Sequence, residues 1–367
     1  MKLLLDYDLN TLEKELAPFG QPKYVAKQIF GWINKGRDFD EMTNVSKDFR
    51  ERLKQDFYAV GVTVEKKLTS KDGTVKYLFR LNDNNFIESV LMSYKYGRTL
   101  CVSTQVGCRM GCTFCASGIG GLVRNLTAGE ILSQIVAVNR DFDDEKRAVT
   151  NVVLMGSGEP LDNYDNVIAF LRLVNSADGL NISYRNISLS TSGIVPNMYK
   201  LADENMPINL TVSLHSATQQ KREEIMPIAR KYSIDDIIAA AKNYFEKTGR
   251  RVIFEYTLID GVNDSFVDAE KLSKLVRGMS AHINLIRLNP VTESAHKPAS
   301  SKNAYAFAEK LTSLGASATV RRQMGVDIDG ACGQLRQRHI SDIDKAVEEI
   351  NHTENIDNNN HKAKKIH

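Results

Sequence analysis

Three cysteines stand in the run Cys108-Arg-Met-Gly-Cys112-Thr-Phe114-Cys115, with three residues between the first pair and two between the second. A loop of that length can wrap three thiolates around one centre, whereas a closed zinc or iron–sulfur site takes four protein ligands. One position is left for something outside the loop, either a distant histidine completing a zinc site or a ligand that is not protein. Cys332 lies far away in Asp327-Ile-Asp329-Gly330-Ala-Cys332-Gly333-Gln334, whose polar, glycine-rich surroundings suit a thiol that moves and reacts. Cys101, in Thr99-Leu100-Cys101-Val102-Ser103, reads instead as a small buried hydrophobe. Five cysteines, an odd number with three crowded together, do not form a secreted disulfide framework.

The elements that must hold these thiols alternate in period. Strand-like runs at 99–105, 150–155, 186–190, 208–214, 251–259 and 283–288 are followed by helix-like runs at 128–139, 164–175, 196–204, 234–247, 265–277 and 302–314, with a last strand near 318–322. Six β/α units predict a parallel sheet curled into a partial barrel, with its chemistry at the C-terminal strand ends. The cysteine loop follows the first strand. Gly156-Ser157-Gly158-Glu159-Pro160 follows the second, where glycine lets backbone approach a ligand and Glu159 can accept from an ammonium group. Ser190, the Ser213-Leu214-His215 run and Asn289 sit at further strand ends. Polar residues converging from four strands on one mouth are hard to explain by packing alone.

Ahead of the barrel, residues 1–60 read as a helical module. Leu9, Leu12 and Leu16 keep helical spacing with Asn10 and Glu13 as a capping pair, a second helix runs from Lys23 to Gly36, and Ser46 caps a third that buries Phe49, Leu53 and Phe57. Lys23, Lys27, Lys35, Arg37, Lys47, Arg50 and Arg52 give it a basic face, either solvated or in contact with RNA. Residues 61–97 switch to period two, with Val62 and Val64, then Val75, Tyr77 and Phe79, then Phe86, Glu88 and Val90, a β-extension turning at Lys71-Asp72-Gly73 and Asn82-Asp83-Asn84. The barrel occupies 98–335, ending in a stretch from Met324 to Gln334 too polar to be core, and the tail at 352–367 has the composition of a disordered segment.

Lys and Arg outnumber Asp and Glu by 48 to 45, a formal +3 that permits an acidic partner without demanding one. Local pairs are more telling: Lys221-Arg222, Arg230-Lys231, Arg250-Arg251, Arg321-Arg322, and Arg336 with Arg338 could meet phosphates. No run of about 18 apolar residues occurs and the start lacks a signal peptide's apolar stretch, so the expected location is the cytoplasm, away from membranes.

The CxxxCx(aromatic)C spacing with Phe114 resembles the radical S-adenosylmethionine (SAM) superfamily. In it, three cysteines hold a [4Fe–4S] cluster whose fourth iron is chelated by SAM, and an electron from the cluster cleaves SAM to methionine and a 5′-deoxyadenosyl radical. The resemblance then narrows. Cys101-Val-Ser-Thr-Gln-Val-Gly-Cys108, the Gly-Glu-Pro turn, Ser-Leu-His, Asp327-Ile-Asp-Gly-Ala-Cys-Gly-Gln-Leu335 and Glu41-Met-Thr-Asn-Val-Ser-Lys47 look like the radical SAM adenosine methyltransferases of 23S rRNA. It runs from about residue 20 to 338 and points to the adenine-C2 enzymes, some of which also modify tRNA, with a C8-methylating antibiotic-resistance branch as the alternative.

That resemblance implies a partial (β/α)6 barrel of the radical SAM type and a role for each thiol. Cys332 takes a methyl group from one SAM, a second SAM supplies the radical that removes hydrogen from it, and the methylene radical adds to adenine, joining enzyme and RNA. Cys101 then attacks the sulfur of Cys332 and releases methyladenine as a disulfide forms, which a reductant must reopen. Glu88, in Phe-Ile-Glu-Ser-Val, takes the position of the base that removes the ring proton. Cys108, Cys112 and Cys115 carry the cluster; Gly158, Glu159, Ser190, Ser213, Leu214, His215 and Asn289 bind SAM. The implied partners are 23S rRNA, tRNA and an external electron donor, with the enzyme acting as a monomer. Ser157, Gly330 and Arg287 depart from the commonest pattern, which bears on C2 against C8. A non-catalytic iron–sulfur RNA-binding protein would need neither Cys101 nor Cys332, an electron carrier would use four cysteine ligands, and another radical SAM enzyme would lack the distal Cys332 motif.

Overall fold

The computed structural model describes residues 1–142, 149–289, 294–328, Leu335 and His339. Cys332, Gly330, Arg336, Arg338 and the tail at 352–367 lie outside them.

The N-terminal module is stitched shut at its base, where β1 (Lys2–Leu3) pairs in parallel with β2 (Phe57–Tyr58). Between them run α1 (Leu9–Leu16), α2 (Lys23–Ile33) and α3 (Lys47–Asp56), whose Leu12, Ile29, Ile33 and Leu53 are wholly buried. The Asn10–Glu13 capping pair is not what starts α1. Asp8 has the extended backbone a cap requires and accepts from Thr11 N–H at 2.7 Å, whereas Asn10 is already inside the helix. Ser46 stands at the start of α3 but caps it with its carbonyl, to Arg50 N–H at 3.0 Å, and not with its hydroxyl. The basic face is partly committed: Arg37 pairs with Glu41 at 3.0 Å, and Arg50 donates to the Phe39 and Asp40 carbonyls.

The antiparallel strands β3 (Val62–Thr69), β4 (Val75–Leu81) and β5 (Phe86–Tyr94) follow the predicted alternation. They do not form a separate sheet. Strand β6 (Gly97–Cys101) pairs antiparallel with β5 on one side and parallel with the first crossover strand on the other. The expected strand at 99–105 therefore breaks in two. After Val102, whose N–H still donates to the Val153 carbonyl at 3.0 Å, the chain leaves the sheet because Gln134 takes the Ser103 backbone: Ser103 N–H donates to Gln134 Oε1 at 2.8 Å, and Gln134 Nε2 donates to the Ser103 carbonyl at 2.9 Å. The chain then forms β7 (Gln105–Gly107), which pairs with β8 (Leu122–Asn125) across the cysteine loop.

The β/α alternation follows as read: α4 (Ala128–Arg140), β9 (Asn151–Leu154), α5 (Tyr164–Asn175), β10 (Ile187–Thr191), α6 (Val195–Asp203) and β11 (Asn209–Ser213). A short helix the periodicity missed, α7 (Gln219–Ile225), precedes α8 (Ile234–Thr248), β12 (Val252–Leu258), α9 (Phe266–Leu275), β13 (Ala281–Arg287), α10 (Ser301–Ser313) and β14 (Ala318–Val320). All ten long strands form one sheet in the order β14-β13-β12-β11-β10-β9-β6-β5-β4-β3, parallel from β14 to β6 and antiparallel beyond. This is the α/β partial barrel that the alternation predicts. Helices cover the outside; along β12, Val252, Phe254, Tyr256 and Leu258 pack at full burial while Glu255 and Thr257 face the lumen.

After β14 the chain is tied back to the β3–β4 turn. Asp72 accepts Gly325 N–H at 2.9 Å, a bond that holds its carboxyl well below the usual range, and Asp327 accepts from the Ser70 hydroxyl and from Lys71 N–H at 3.2 Å. Further along, the His339 ring meets Phe86 edge-on at 4.7 Å. Among the described residues no helix is long and apolar enough to cross a membrane.

Candidate active site

The cysteine loop is set by glycine at its root. Gly107 has φ +78°, and a Cβ there would fall 2.0 Å from the Gly121 carbonyl, so only glycine lets β7 and β8 close beneath the loop. Cys108 N–H then donates to Gly121 O at 3.0 Å, and Thr113 N–H to Ile225 O at the end of α7, also at 3.0 Å. The missed helix is thus a buttress of the loop. Cys112 and Phe114 pack on Ile225, Met226, Ile259 and Leu288.

Cys108, Cys112 and Cys115 line one cavity of about 290 Å³ at the C-terminal ends of the barrel strands. Burial pushes the Cys108 thiol up to about 12; burial, then Cys115 and Cys108, push Cys112 well above the ordinary thiol range. The three thiols are close enough to repel one another as anions, which a bound cation would relieve. Among the described residues no three histidine, cysteine or acidic side chains are drawn to the spacing of a single-ion site. Three thiols on one cavity leave one position, in a polynuclear cluster or at a tetrahedral ion, for a ligand from outside the loop.

The other strand ends bring the expected groups to the same cavity: Gly158, Glu159, Ser190, Ser213, His215 and Asn289 all line it. Leu214 differs: it does not line the cavity, its side chain is fully buried in the main core, and its N–H donates to the Glu255 carbonyl at 3.1 Å. Gly158 has φ +108° and a Cβ there would lie 2.7 Å from Gln105, a cradle closed to any side chain. Both Glu159 oxygens are engaged, by Leu161 N–H at 3.0 Å and Ser192 N–H at 2.6 Å, and burial raises its pKa. Ser157, one of the departures from the family pattern, is buried with its hydroxyl 3.3 Å from that of Ser117, tying this turn to the end of the cysteine loop.

His215 adopts φ +53°, and its Nδ1 accepts Thr257 N–H at 2.9 Å. Burial, followed by the charge of Arg222, pushes its pKa down to about 3, so the ring is neutral with its proton on Nε2. Its ring meets Phe114 edge-on at 5.0 Å. Arg222 was read from sequence as half of a surface basic pair, and the structure overturns that. It is completely buried, donating to the Ser192 carbonyl at 2.6 Å and to the Leu214 carbonyl at 3.1 Å, because α7 turns it inward beneath the strand ends. Its Nη1 has no hydrogen-bond partner, and Cys112 and Arg222 feel each other electrostatically. Sequence reading also missed Glu255, Ser192 and Thr257 in the cavity wall. The signal for Glu255 was available as a lone acid inside an otherwise apolar strand. It accepts from Asn284 Nδ2 at 3.0 Å and stands 3.8 Å from Arg321.

Cys101 opens on a second cavity of about 180 Å³, with Val90, Met92, Arg287 and Arg322 in its wall. The two cavities share Met155, Ile286, Asn289 and Arg321. Glu88 lies on the same face of β5 as Val90 and Met92 but lines neither cavity. It is buried and paired to Lys76 at 3.1 Å.

Comparison with known proteins agrees with this layout. Residues 102–272 match the radical SAM superfamily and residues 3–59 the N-terminal domain of ribosomal RNA large subunit methyltransferases. The probable dual-specificity RNA methyltransferase RlmN of Alkaliphilus oremlandii is 51% identical over 339 residues, covering 92% of this chain and 98% of the relative. That of Clostridium novyi is 50% identical over 343 residues, covering 93% and 99%. A solved radical SAM methyltransferase from Sphaerobacter thermophilus superposes with a TM-score of 0.88 at 44% identity, covering 91% of this chain and 99% of its own.

Proposed function

The chain belongs to the RlmN family of radical SAM dual-specificity RNA methyltransferases, and on that premise we propose that it methylates C2 of an adenosine in 23S rRNA and of the adenosine 3′ to the anticodon in tRNA. The observation that carries this reading is the shared wall between the two cavities, which sets the cysteine loop and Cys101 on either side of Met155, Ile286, Asn289 and Arg321.

The residues present fit the family's cofactors. The three mutually repelling thiols would hold a [4Fe–4S] cluster; the Gly158 cradle, Glu159, Ser190, Ser213, His215 and Asn289 would hold SAM. Bound there, cluster and SAM supply one-electron chemistry able to open carbon–hydrogen bonds. An external donor must deliver the electron. His215, locked neutral by Thr257 N–H, offers only an Nε2–H donor to the cavity. Adenine C2 is electron-poor and has no lone pair for ordinary methyl transfer, which favours a route through a protein-borne methyl group. Cys332 would carry that methyl group; once the bound one-electron chemistry has removed one of its hydrogen atoms, its carbon would bond to the adenine carbon, and the surplus electron would return to the bound group as the ring proton leaves. Glu88, fixed by Lys76, takes the ring proton. The Cys101 thiolate then attacks the Cys332 sulfur; the S–S bond forms, the S–C bond breaks, and the carbon leaves with the electron pair and gains a proton. One chain supplies every residue of this scheme, in keeping with a monomer acting in the cytoplasm.

The test is mass spectrometry of RNA digests after anaerobic incubation with SAM and a reductant. The expected product is 2-methyladenosine in 23S rRNA near the peptidyl transferase centre and in tRNA. Finding 8-methyladenosine would move the protein to the resistance branch, and no methyladenosine at all would overturn the reading.

A further inference from the structure

Strands β5 and β6 are joined by the two-residue turn Lys95-Tyr96, with Tyr94 paired to Gly97. Tyr96 is 71% exposed, yet its ring is held against that of Tyr94, with centroids 5.0 Å apart and planes only 5° from parallel. Tyr94 is anchored in turn. It packs with the cluster of Val90, Met92 and Cys101, and its hydroxyl donates to the Met92 sulfur at 3.5 Å. One face of the hairpin therefore carries, from the Cys101 end of β6 back to its start, a thiol, a thioether and two stacked phenol rings. Among the described residues no other ring or cation stacks on the last of them.

Cations flank this line. Arg321 and Arg322 both bear electrostatically on Tyr94, and both line the cavity onto which Cys101 opens. Arg322 is exposed and makes no ion pair among the described residues. An exposed aromatic face, with a guanidinium that has no ion pair among the described residues standing in the wall of the adjoining thiol cavity, supplies the two elements that recognise unpaired nucleotides, one taking the base and the other the phosphate. A duplex would not present it with a base. A target adenine that must enter a cavity has to be splayed from its stack, and its neighbours are splayed or exposed with it.

We propose that Tyr96 is a stacking platform for the base of a nucleotide adjacent to the target adenosine in single-stranded or loop RNA, with Arg322 contacting that nucleotide's phosphate. The inference rests on the reading that adenosine is methylated beside Cys101. It adds a substrate-positioning surface on the β5–β6 turn, whose Tyr96 lines neither of the two cavities. Tyr96 holds the flanking nucleotide, and through Tyr94 that grip is braced against the same side chains that wall the thiol.

The experiment uses the full chain with its cluster reconstituted and a hairpin RNA of the tRNA anticodon arm carrying 2-aminopurine next to the target adenosine. Wild-type protein should quench the 2-aminopurine on binding. Y96A should lose the quenching and bind about tenfold more weakly, whereas Y96W should keep both. R322Q should keep the quenching but lower the slope of log Kd against log salt by about 0.7. Cluster absorbance and RNA-independent SAM cleavage should stay at wild-type level in all three, showing that the fold and cofactor cavity are intact. If wild-type protein methylates the RNA while Y96A binds and quenches as the wild type does, the platform is refuted and the methyltransferase reading stands. If wild-type protein methylates no RNA, the reading fails and the platform falls with it.

Discussion

Lys76 Nζ stands 3.1 Å from Glu88 Oε2 across strands β4 and β5, with the two side chains 0% and 2% exposed. Two ions withdrawn this far from water lean on each other, and deleting one weakens the compensation of the other's buried charge, at a cost of up to about 3–5 kcal/mol. Lys76→Met should lower stability in urea by about that amount. A Lys76→Met/Glu88→Leu double variant should recover much of it, yet make no methyladenosine if Glu88 is the base. A double variant that methylates RNA normally would leave the pair a structural role alone.

The cysteine loop makes a separate prediction. Anaerobically reconstituted protein should hold about four irons per chain, and Cys108→Ala, Cys112→Ala or Cys115→Ala should abolish both the cluster absorbance and SAM cleavage. Tetrahedral zinc in the active protein would contradict it.

The two outlying thiols should behave differently. Peptide mass spectrometry of protein made in cells should find a methyl group on Cys332 and none on Cys101, and Cys332→Ala should keep its cluster but methylate no RNA. Cys101→Ala should still attack adenine but be unable to let go, and so be purified with RNA covalently attached and resistant to reductant and denaturant. RNA-free Cys101→Ala protein with full turnover would rule out the two-thiol route.

Arg222, with no carboxylate partner among the described residues, holds strand-end carbonyls and sits in electrostatic reach of Cys112. Arg222→Met strands those buried acceptors and should cost more than about 2 kcal/mol. Iron content per chain should fall as well, and Arg222→Lys should restore part of it by returning the charge.

Asp83 gives a pH signature. Buried in part but bonded to Arg124 at 2.6 Å and to Asn85, its carboxyl is held down to about 2 against 3.8. A depressed carboxylate binds fewer protons folded than unfolded, so its contribution is present above about pH 4 and is lost as pH falls through 2. Solvent exposure makes that contribution small. Asp83→Asn should flatten this part of the acid limb in urea titrations at stepped pH, and an unchanged limb would show the pair to be inert.

Much of this was legible in the chain. The barrel strands and six of the helices declare themselves by period, and cavity-lining groups such as Ser190 and His215 by standing at strand ends. The rest depended on information that periodicity does not carry. Helix α7, Gln219-Gln-Lys-Arg-Glu-Glu-Ile225, is too short and polar to show an apolar stripe, so Arg222 looked like a surface cation. Its burial is decided by α7 packing under the cysteine loop, a tertiary event. The break between β6 and β7 was hidden because Val102 keeps the strand-like pattern while Gln134, some thirty residues on, claims the backbone of Ser103. Asn10 with Glu13 has the spacing of a capping pair, and only the backbone angles show that Asp8 is the cap.

The bonds from Asp72 to Gly325 and from Ser70 to Asp327 also set a timetable. They join residues 253 and 257 positions apart, whereas the sheet from β3 to β6 is built from neighbours in sequence. During synthesis the N-terminal module, the β-extension and the cysteine loop emerge first. Gly325 follows Cys115 by about 210 residues, on the order of 10 to 40 s of translation. Until then the turn at 70–73 has nothing to latch, and the side of the barrel between β14 and β6 has not been built. Each newly made chain thus passes through an interval in which its three loop cysteines are present and the last barrel wall is absent, and the latch on the 70–73 turn closes only once the whole barrel has been made.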